Sequence, residues 1–352
     1  MHMADALLAP AVAATMYAAS AVTVGASVKT LRKDETTAKL PTMAVTSALV
    51  FAGQMINYTI PGTGSSGHLC GGMMLTALLG PHAGFLSMVV ILAIQALFFA
   101  DGGLLALGAN CWNMAFYGCF VGYYLLWRPM MRSKLFGASR GAARAKITLA
   151  SILGCVLTLQ LGAFSVVLET TASGITELPF GAFVGIMQPI HLAIGLVEGL
   201  ITSAVLVFVY EARPELLMDV NAAGKDTGKY SLKTTLVILA VVVVIVGGGL
   251  SLFASGNPDG LEWSMFGNAE SGYSENMGLD EESYGVSSGA AEVAGSIQER
   301  TAFLPDYAFA DSDSAAGTSV SGLLGSAIVA GAAVLVCMAG GFFRKRKAAV
   351  NT

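Results

Sequence analysis

The sequence predicts an all-α integral membrane protein with about nine transmembrane helices, and three observations carry that expectation. Of its 352 residues, 55% are hydrophobic and only 12% are charged, whereas ordinary soluble domains carry roughly a quarter charged residues. Apolar stretches fall at about 8–28, 41–57, 69–80, 83–100, 109–127, 147–168, 181–210, 234–254 and 319–343, and one bilayer crossing takes ~20 such residues. They use about half the chain, which leaves no room for a large soluble catalytic domain. Finally, the two signs of charge are segregated along the chain although the net charge is only −4.

The stretch 8–28 is followed rather than preceded by its positive charges, Lys29, Arg32, Lys33 and Lys39. A signal peptide has the reverse order, so a retained helix is expected, with Met1 left in place because His2 is not a small residue. Arg128, Arg132, Lys134, Arg140, Arg144 and Lys146 follow the fifth stretch. Arg213, Lys225, Lys229 and Lys233 follow the seventh, and Arg344, Lys345, Arg346 and Lys347 follow the ninth. With nine crossings, every basic residue except Arg300 falls on one face, which the positive-inside rule makes cytoplasmic. The N-terminus is then outside and the C-terminus cytoplasmic. The outer face also receives the loops 58–67, 101–108 and 169–180 and the acidic segment 255–318, with Asp259, Glu262, Asp306 and nine further acids.

Met1 and His2 supply the chemistry. The α-amine, the His2 amide nitrogen and the His2 Nδ1 can wrap one metal ion in fused chelate rings once the ligands shed their protons. Such a chelate is planar. It favours Ni(II) or Cu(II), tolerates Co(II) and disfavours tetrahedral Zn(II). One further nitrogen is wanted, and His68 is the other histidine that the crossing pattern puts near the outer face. The stretch 69–80 spans only about 18 Å at 1.5 Å per residue, short of the ~30 Å hydrocarbon core. The loop before it must therefore dip inward, which irregular backbone tolerates only when buried in protein or lining a cavity. Gly62, Gly64 and Gly67 are expected to supply permissive dihedrals there.

The other polar residues have quieter readings. His82 follows Pro81 in a turn on the cytoplasmic side, and His191 reads as a hydrogen-bonded packing residue or an orienter of ligands. Glu198 lies mid-helix, where an ionisable group is costly and suggests function unless a partner satisfies it. Asn57, Gln95, Asn110, Asn113 and Gln188 read as bonds between helices or as supports for the ligands. Ala14 and Ala18 permit close helix approach. The five cysteines have no CxxC spacing and read as small core residues. Gly224-Lys225 is followed by Asp226, so there is no phosphate loop, and no HExxH occurs. The chain is expected to be a non-enzyme with no catalytic cofactor and no nucleic-acid partner.

Several runs carry a resemblance: Met1-His2-Met3-Ala4-Asp5-Ala6, Gly67-His68-Leu69-Cys70-Gly71-Gly72, Gly80-Pro81-His82-Ala83-Gly84, Gln95 through Gly103, Leu107-Gly108-Ala109-Asn110, Gln188-Pro189-Ile190-His191-Leu192 and Gly195-Leu196-Val197-Glu198-Gly199. They resemble the CbiM/NikM family, the substrate-specificity components of energy-coupling factor transporters for cobalt and nickel. Asn257-Pro258-Asp259-Gly260-Leu261-Glu262-Trp263 and Leu304-Pro305-Asp306-Tyr307-Ala308 resemble the small CbiN/NikN-type PDGLE subunit, here fused. The resemblance implies a seven-helix capture module over 1–215, a cytoplasmic linker over 216–233 and a two-helix accessory module over 234–347 that assists metal loading. It implies metal ligation by Met1, His2 and His68, a membrane coupling component and ATP-binding cassette ATPases as partners, and a prokaryotic cell membrane location.

Gly-His-Leu-x-Gly-Gly resembles the nickel branch, with Co(II) for cobalamin synthesis as the alternative cargo. Many members have isoleucine third and glycine sixth, so Ala6 would be strained if its turn needs positive φ. The stretch 269–299, rich in Gly, Ser and acids, reads as disordered, either a plain linker or a means of raising local cation concentration. Two other classes are weighed. A self-sufficient secondary carrier or channel expects paired intramembrane acids, and Glu198 stands alone. A metal-dependent hydrolase expects an acid/base carboxylate beside an open metal.

Overall fold

The computed structural model describes residues 1–31, 33–134, 137, 139–175, 177–220, 228–269, 273–274, 279, 284–309 and 314–350. It is mostly helical. α1 (Pro10–Thr30), α2 (Lys33–Gln54), α3 (Gly72–Leu79) and α4 (Pro81–Phe99) come first, with a hairpin of β1 (Tyr58–Ile60) and β2 (Ser65–Gly67) between α2 and α3. α5 (Leu107–Asn110) runs on through a π-helical stretch, Cys111–Trp127, into α6 (Arg128–Arg132). The long pair α7 (Arg140–Ala172) and α8 (Phe180–Ala212) follows. Then come α9 (Leu232–Gly248), α10 (Gly260–Phe266), a two-residue pairing of β3 (Gly267–Asn268) with β4 (Tyr273–Ser274), α11 (Gly289–Thr301) and α12 (Ala316–Val350).

Among the described residues, six helices are long and apolar enough to cross a membrane: those at Pro10–Thr30, Pro81–Phe99, Arg140–Ala172, Phe180–Ala212, Leu232–Phe253 and Ala316–Val336. Their outward residues are apolar, as lipid requires; Leu153, Leu168, Leu196, Leu200, Val241 and Val244 are all exposed. α7 and α8 pack almost backbone to backbone. A Cβ on Gly195 would lie 2.9 Å from the Val156 Cα, and one on Gly199 2.6 Å from the Ile152 Cα. This is the close approach that small residues four apart allow between membrane helices.

The short helix expected over 69–80 forms only from Gly72 to Leu79, and what precedes it is ordered rather than irregular. Tyr58, Thr59 and Ile60 pair antiparallel with Gly67, Ser66 and Ser65. Gly62 and Gly64 take positive φ, +77° and +70°, at the tip. Gly67 has no such φ and serves another purpose. A Cβ there would meet Ile194 at 2.6 Å, so it is the hairpin's close approach to α8 that demands glycine. Ser65, Ser66 and Gly67 are buried.

Glu198 explains how this hairpin is fastened. From α8 it accepts hydrogen bonds from the backbone N–H of Cys70 and of Gly71, both at 2.9 Å, just after His68. Gln54 of α2 donates to the Cys70 carbonyl at 2.8 Å. The costly mid-helix acid is thus a clamp on the loop. Glu198→Ala strands two buried N–H donors at about 1–3 kcal/mol each, so thermal unfolding in detergent is expected to shift down sharply, and Glu198→Gln, which keeps one acceptor oxygen, is expected to cost less.

Two other expectations change. Ala6 lies in a 3-10 turn, Asp5–Leu7, and is absent from the residues of positive φ, so alanine there is unstrained. The stretch 269–299 is not wholly disordered: α11 covers its end, with Ser288 accepting from the Ala291 N–H as N-cap. Most of 270–283 lies outside the described residues. Cys70, Cys111, Cys119 and Cys155 are buried free thiols, and the side chain of Cys337 is outside the described set.

Candidate metal site

The first eight residues are drawn into the protein rather than left to fray. Met3, Leu7 and Leu8 are fully buried, and burying each such side chain is worth ~1.5–3 kcal/mol. Asn110 reads the Met3 peptide on both sides, accepting from its N–H at 2.8 Å and donating to its carbonyl at 3.2 Å. The Met3 carbonyl also accepts from the Gly103 N–H at 2.9 Å. Asp5 accepts from the Ala106 N–H at 3.0 Å. The loop 101–106 is thereby the bed on which the terminus lies.

Met1, His2 and His68 come together as anticipated. The terminal nitrogen lies 3.1 Å from the His68 Nε2. The His2 and His68 rings stack, with centroids 5.1 Å apart and planes 23° apart. Met1 is 5% and His68 8% exposed. His68 Nδ1 is 3.0 Å from the Leu69 carbonyl, so that nitrogen donates and Nε2 is left as the lone pair facing the amine. Burial first, and then the terminal amine and His2, hold the His68 imidazole down at about 3. His2 is lowered by burial, with Asp101 pulling the other way. Burial thus favours the uncharged, metal-binding form of both rings.

Two carboxylates that the sequence reading did not assign to the site complete it. Asp259 Oδ2 accepts from the terminal ammonium at 2.5 Å and lies 3.9 Å from the His68 Nε2. Burial alone would raise its carboxyl, but the ammonium and His68 outweigh burial and hold it well below the usual carboxylate range. Asp101 Oδ1 lies 3.1 Å from the His2 Nδ1. Their signal lay in the motifs: Asp259 is the acid of the Pro-Asp-Gly run and Asp101 is the acid of the run from Gln95 to Gly103. The two nitrogens expected to chelate are both engaged by carboxylates here, the His2 Nδ1 by Asp101 and the amine by Asp259. Around this pair, Gln95 Oε1 lies 3.3 Å from His2 Nε2, and Gln95 Nε2 donates to Gln54 Oε1 at 3.0 Å and to the Tyr307 hydroxyl at 3.2 Å. Tyr307 in turn donates to Asp101 Oδ2 at 2.5 Å.

The other candidates have other partners, although Asn57 lines the same cavity as His2 and His68. His82 Nδ1 is 3.2 Å from the Ser27 hydroxyl. Asn113 donates to Glu169 at 2.8 Å. Gln188 and Gln160 exchange bonds with each other's carbonyls. The Asn57 carbonyl accepts from the Ser255 N–H at 2.7 Å. Among the described residues no trio of His, Cys, Asp or Glu side chains is grouped to hold a metal. A cavity of about 570 Å³ opens onto the site, lined in part by His2, His68, Asp101, Asp259, Glu262 and Asp306.

Residues 2–216 match the family described as "Cobalt uptake substrate-specific transmembrane region", CbiM. The chain belongs to the CbiM family. Residues 233–340 match the PDGLE domain, so the CbiM region is fused to a PDGLE region in a multi-pass membrane protein of a nickel and cobalt transport family. A putative fused nickel transport protein NikMN of Archaeoglobus fulgidus is 34% identical over 94% of this chain and 95% of its own. The fused nickel transport protein NikMN of Rhodobacter capsulatus is 32% identical, again over 94% and 95%. The cobalt transport protein CbiM of Sorangium cellulosum is 32% identical over 50% of this chain and 76% of its own. A crystal structure of a truncated transition metal transporter is 32% identical, with a TM-score of 0.50, covering 60% of this chain and 99% of that one.

The CbiM region's loop glycines give a test. Gly102 has φ +80°, and a Cβ there would lie 3.2 Å from the His2 Cβ. Gly102→Ala is expected to displace His2 and weaken metal binding about tenfold, a cost of ~1.4 kcal/mol, as measured by titration calorimetry on the full chain.

Proposed function

We propose that the chain is the substrate-capturing subunit of an ATP-driven energy-coupling factor importer for a divalent transition metal, with Ni(II) as the favoured cargo. The observation that carries this is the convergence of the terminal amine, His2 and His68 inside the protein at the foot of a cavity. Chelation by the amine, the His2 amide and imidazole, and His68 would use four nitrogens, three of them from two consecutive residues. Nickel as cargo is supported by the full-length fused relatives, which are named nickel transport proteins. Co(II) supplying cobalamin synthesis is the second reading, since the donors suit both ions and a CbiM relative is named for cobalt.

In this reading the capture module spans 1–215, a cytoplasmic linker 216–233 and the accessory module 234–347. Nine crossings leave the N-terminus outside, so metal arrives through the 570 Å³ cavity from the extracytoplasmic side. The segment 216–233 is fastened rather than loose where it is described. The Met218 N–H donates to the Ala77 carbonyl and Trp127 to the Met218 carbonyl, both at 2.8 Å. With no phosphate loop in the sequence, hydrolysis falls to separate ATPase subunits through a membrane coupling protein.

Because the α-amine is a ligand in this reading, an N-terminal tag is expected to abolish stoichiometric Ni(II) binding while a C-terminal tag spares it; equal metal content in both forms would refute the site. His68→Ala is expected to lower affinity by at least tenfold, with His82→Ala unchanged, in equilibrium dialysis. Uptake in proteoliposomes that needs no ATPase partner would instead favour the secondary carrier.

A further inference from the structure

α11 (Gly289–Thr301) is built onto the end of a spanning helix. Gln298 donates to the Ala96 and Gly102 carbonyls at 3.0 and 2.7 Å, and the Leu304 N–H donates to the Phe98 carbonyl at 3.3 Å. Phe303 lies against Phe98 and Phe99, with ring centroids 5.4 and 6.0 Å away. α4 ends at Phe99, so these contacts hold α11 at the level where that helix leaves the hydrocarbon. α9 marks the same level. Phe253, the last residue of the span Leu232–Phe253, is 83% exposed, and the Ser255 N–H just beyond it donates to the carbonyl of Asn57, a residue of the cavity wall.

At 3.6 residues per turn the sides of α11 have different surroundings. Gln298 and the buried Ala294 form the side packed on the protein. Next to them, Ala291 and Gly295 line the large cavity. Glu292 and Glu299, two turns apart, are exposed on the side turned away from α4. Val293 and Ile297, one turn apart, lie opposite the cavity side and are 60% and 44% exposed, and Phe303 just past the helix is 48% exposed. A single exposed apolar side chain is ordinary on any protein. A stripe of them at the bilayer boundary, on a helix whose acids point elsewhere, is the pattern of a segment lying in a membrane interface.

We propose that Val293, Ile297 and Phe303 are immersed in lipid at the headgroup–acyl boundary of the leaflet on the metal-site side. The bundle's own surface leads to this stripe: Val90, Ala93 and Leu97 form a half-buried edge of α4, and Phe98 carries it on to Phe303. Removing these side chains from water supplies the attachment. Arg300 flanks the apolar pair, where a long side chain lays its stem on the apolar layer and keeps its charge among the phosphates, while Glu292 and Glu299 stay in water. α11 is then a wall with lipid on one side and the cavity on the other, and the bilayer surface as well as Gln298 holds that wall in place.

The test is spin labelling of the full chain in phosphatidylcholine vesicles, with one substitution at a time: Val293→Cys, Ile297→Cys, Glu292→Cys or Glu299→Cys. The four described native cysteines are buried, and the unsubstituted chain gives the background. Collisions of each label with oxygen, which concentrates in lipid, are compared with collisions with chromium oxalate, which stays in water. Labels at positions 293 and 297 are expected to favour oxygen, and labels at 292 and 299 chromium oxalate. Adding Ile297→Asp to Val293→Cys is expected to reverse the preference at 293, because a carboxylate is not held in the acyl layer. Chromium oxalate favoured at all four positions overturns the proposal. Shielding of 293 and 297 from both reagents overturns it too, since a second copy or another protein then covers the stripe. An oxygen preference at 293 that survives Ile297→Asp leaves α4 alone to position the helix and overturns the lipid attachment.

Discussion

The rest of the structure depends on one constraint: the first nitrogen of the chain is buried. An ammonium taken out of water costs several kcal/mol unless it is paired and hydrogen-bonded, and chain ends ordinarily fray. Here both problems are met together. Asp259 pairs with the amine and His68 takes a second hydrogen-bond position on it. Meanwhile Met3, Leu7 and Leu8 are buried, and Asn110 and Gly103 hold the Met3 peptide. The apolar anchors supply the free energy, and the polar contacts decide where the amine stops.

That pairing ties two regions of the chain into one site. Asp259 comes from the PDGLE region, and its neighbours follow it into the CbiM region: the Ser66 N–H donates to the Pro258 carbonyl at 2.8 Å, and the Ser66 hydroxyl to the Asn257 carbonyl at 2.7 Å. Asn268 donates to the Gly64 carbonyl at 2.8 Å. Gln298 of α11 donates to the Ala96 and Gly102 carbonyls, and Tyr307 reaches Asp101. Each loop that carries a proposed ligand is therefore gripped by the PDGLE region. In the proposed function, the accessory module assists loading as part of the wall of the site.

Some of this was legible in the sequence, for a physical reason. A chelate built from two consecutive residues is a local object, so Met1 and His2 suggest one without any knowledge of the fold. His68 followed from a helix too short to cross a bilayer and a glycine-rich approach to it. Glu198 was visible as a costly acid, but its partners are the N–H groups of Cys70 and Gly71, and backbone donors leave no letter in a sequence. Asp259 stands 258 residues from the amine, beyond the reach of any periodicity, although its motif named it. The hairpin escaped because strands of three residues, one of them Ser-Ser-Gly, carry no alternating pattern. α11 escaped because its stretch is polar and rich in small residues, and it is secured by one N-cap and one glutamine rather than by an apolar face.

The ring geometry bears on what loading would demand in the proposed function. Two imidazoles stacked 23° from parallel direct their lone pairs along nearly parallel planes, whereas two donors to one planar ion must converge on it. His2 is held away from convergence by Asp101 on one nitrogen and Gln95 on the other, and both of those residues are held by Tyr307. In the proposed function an ion must repay the loss of these contacts together with the loss of a proton from the His2 amide. Ions high in the Irving–Williams order repay it most readily, and weakly binding ions such as Mg(II), which prefer oxygen and keep their waters, do not. In that reading the network around His2 would act as a threshold, setting how strongly an ion must bind nitrogen before the chelate closes.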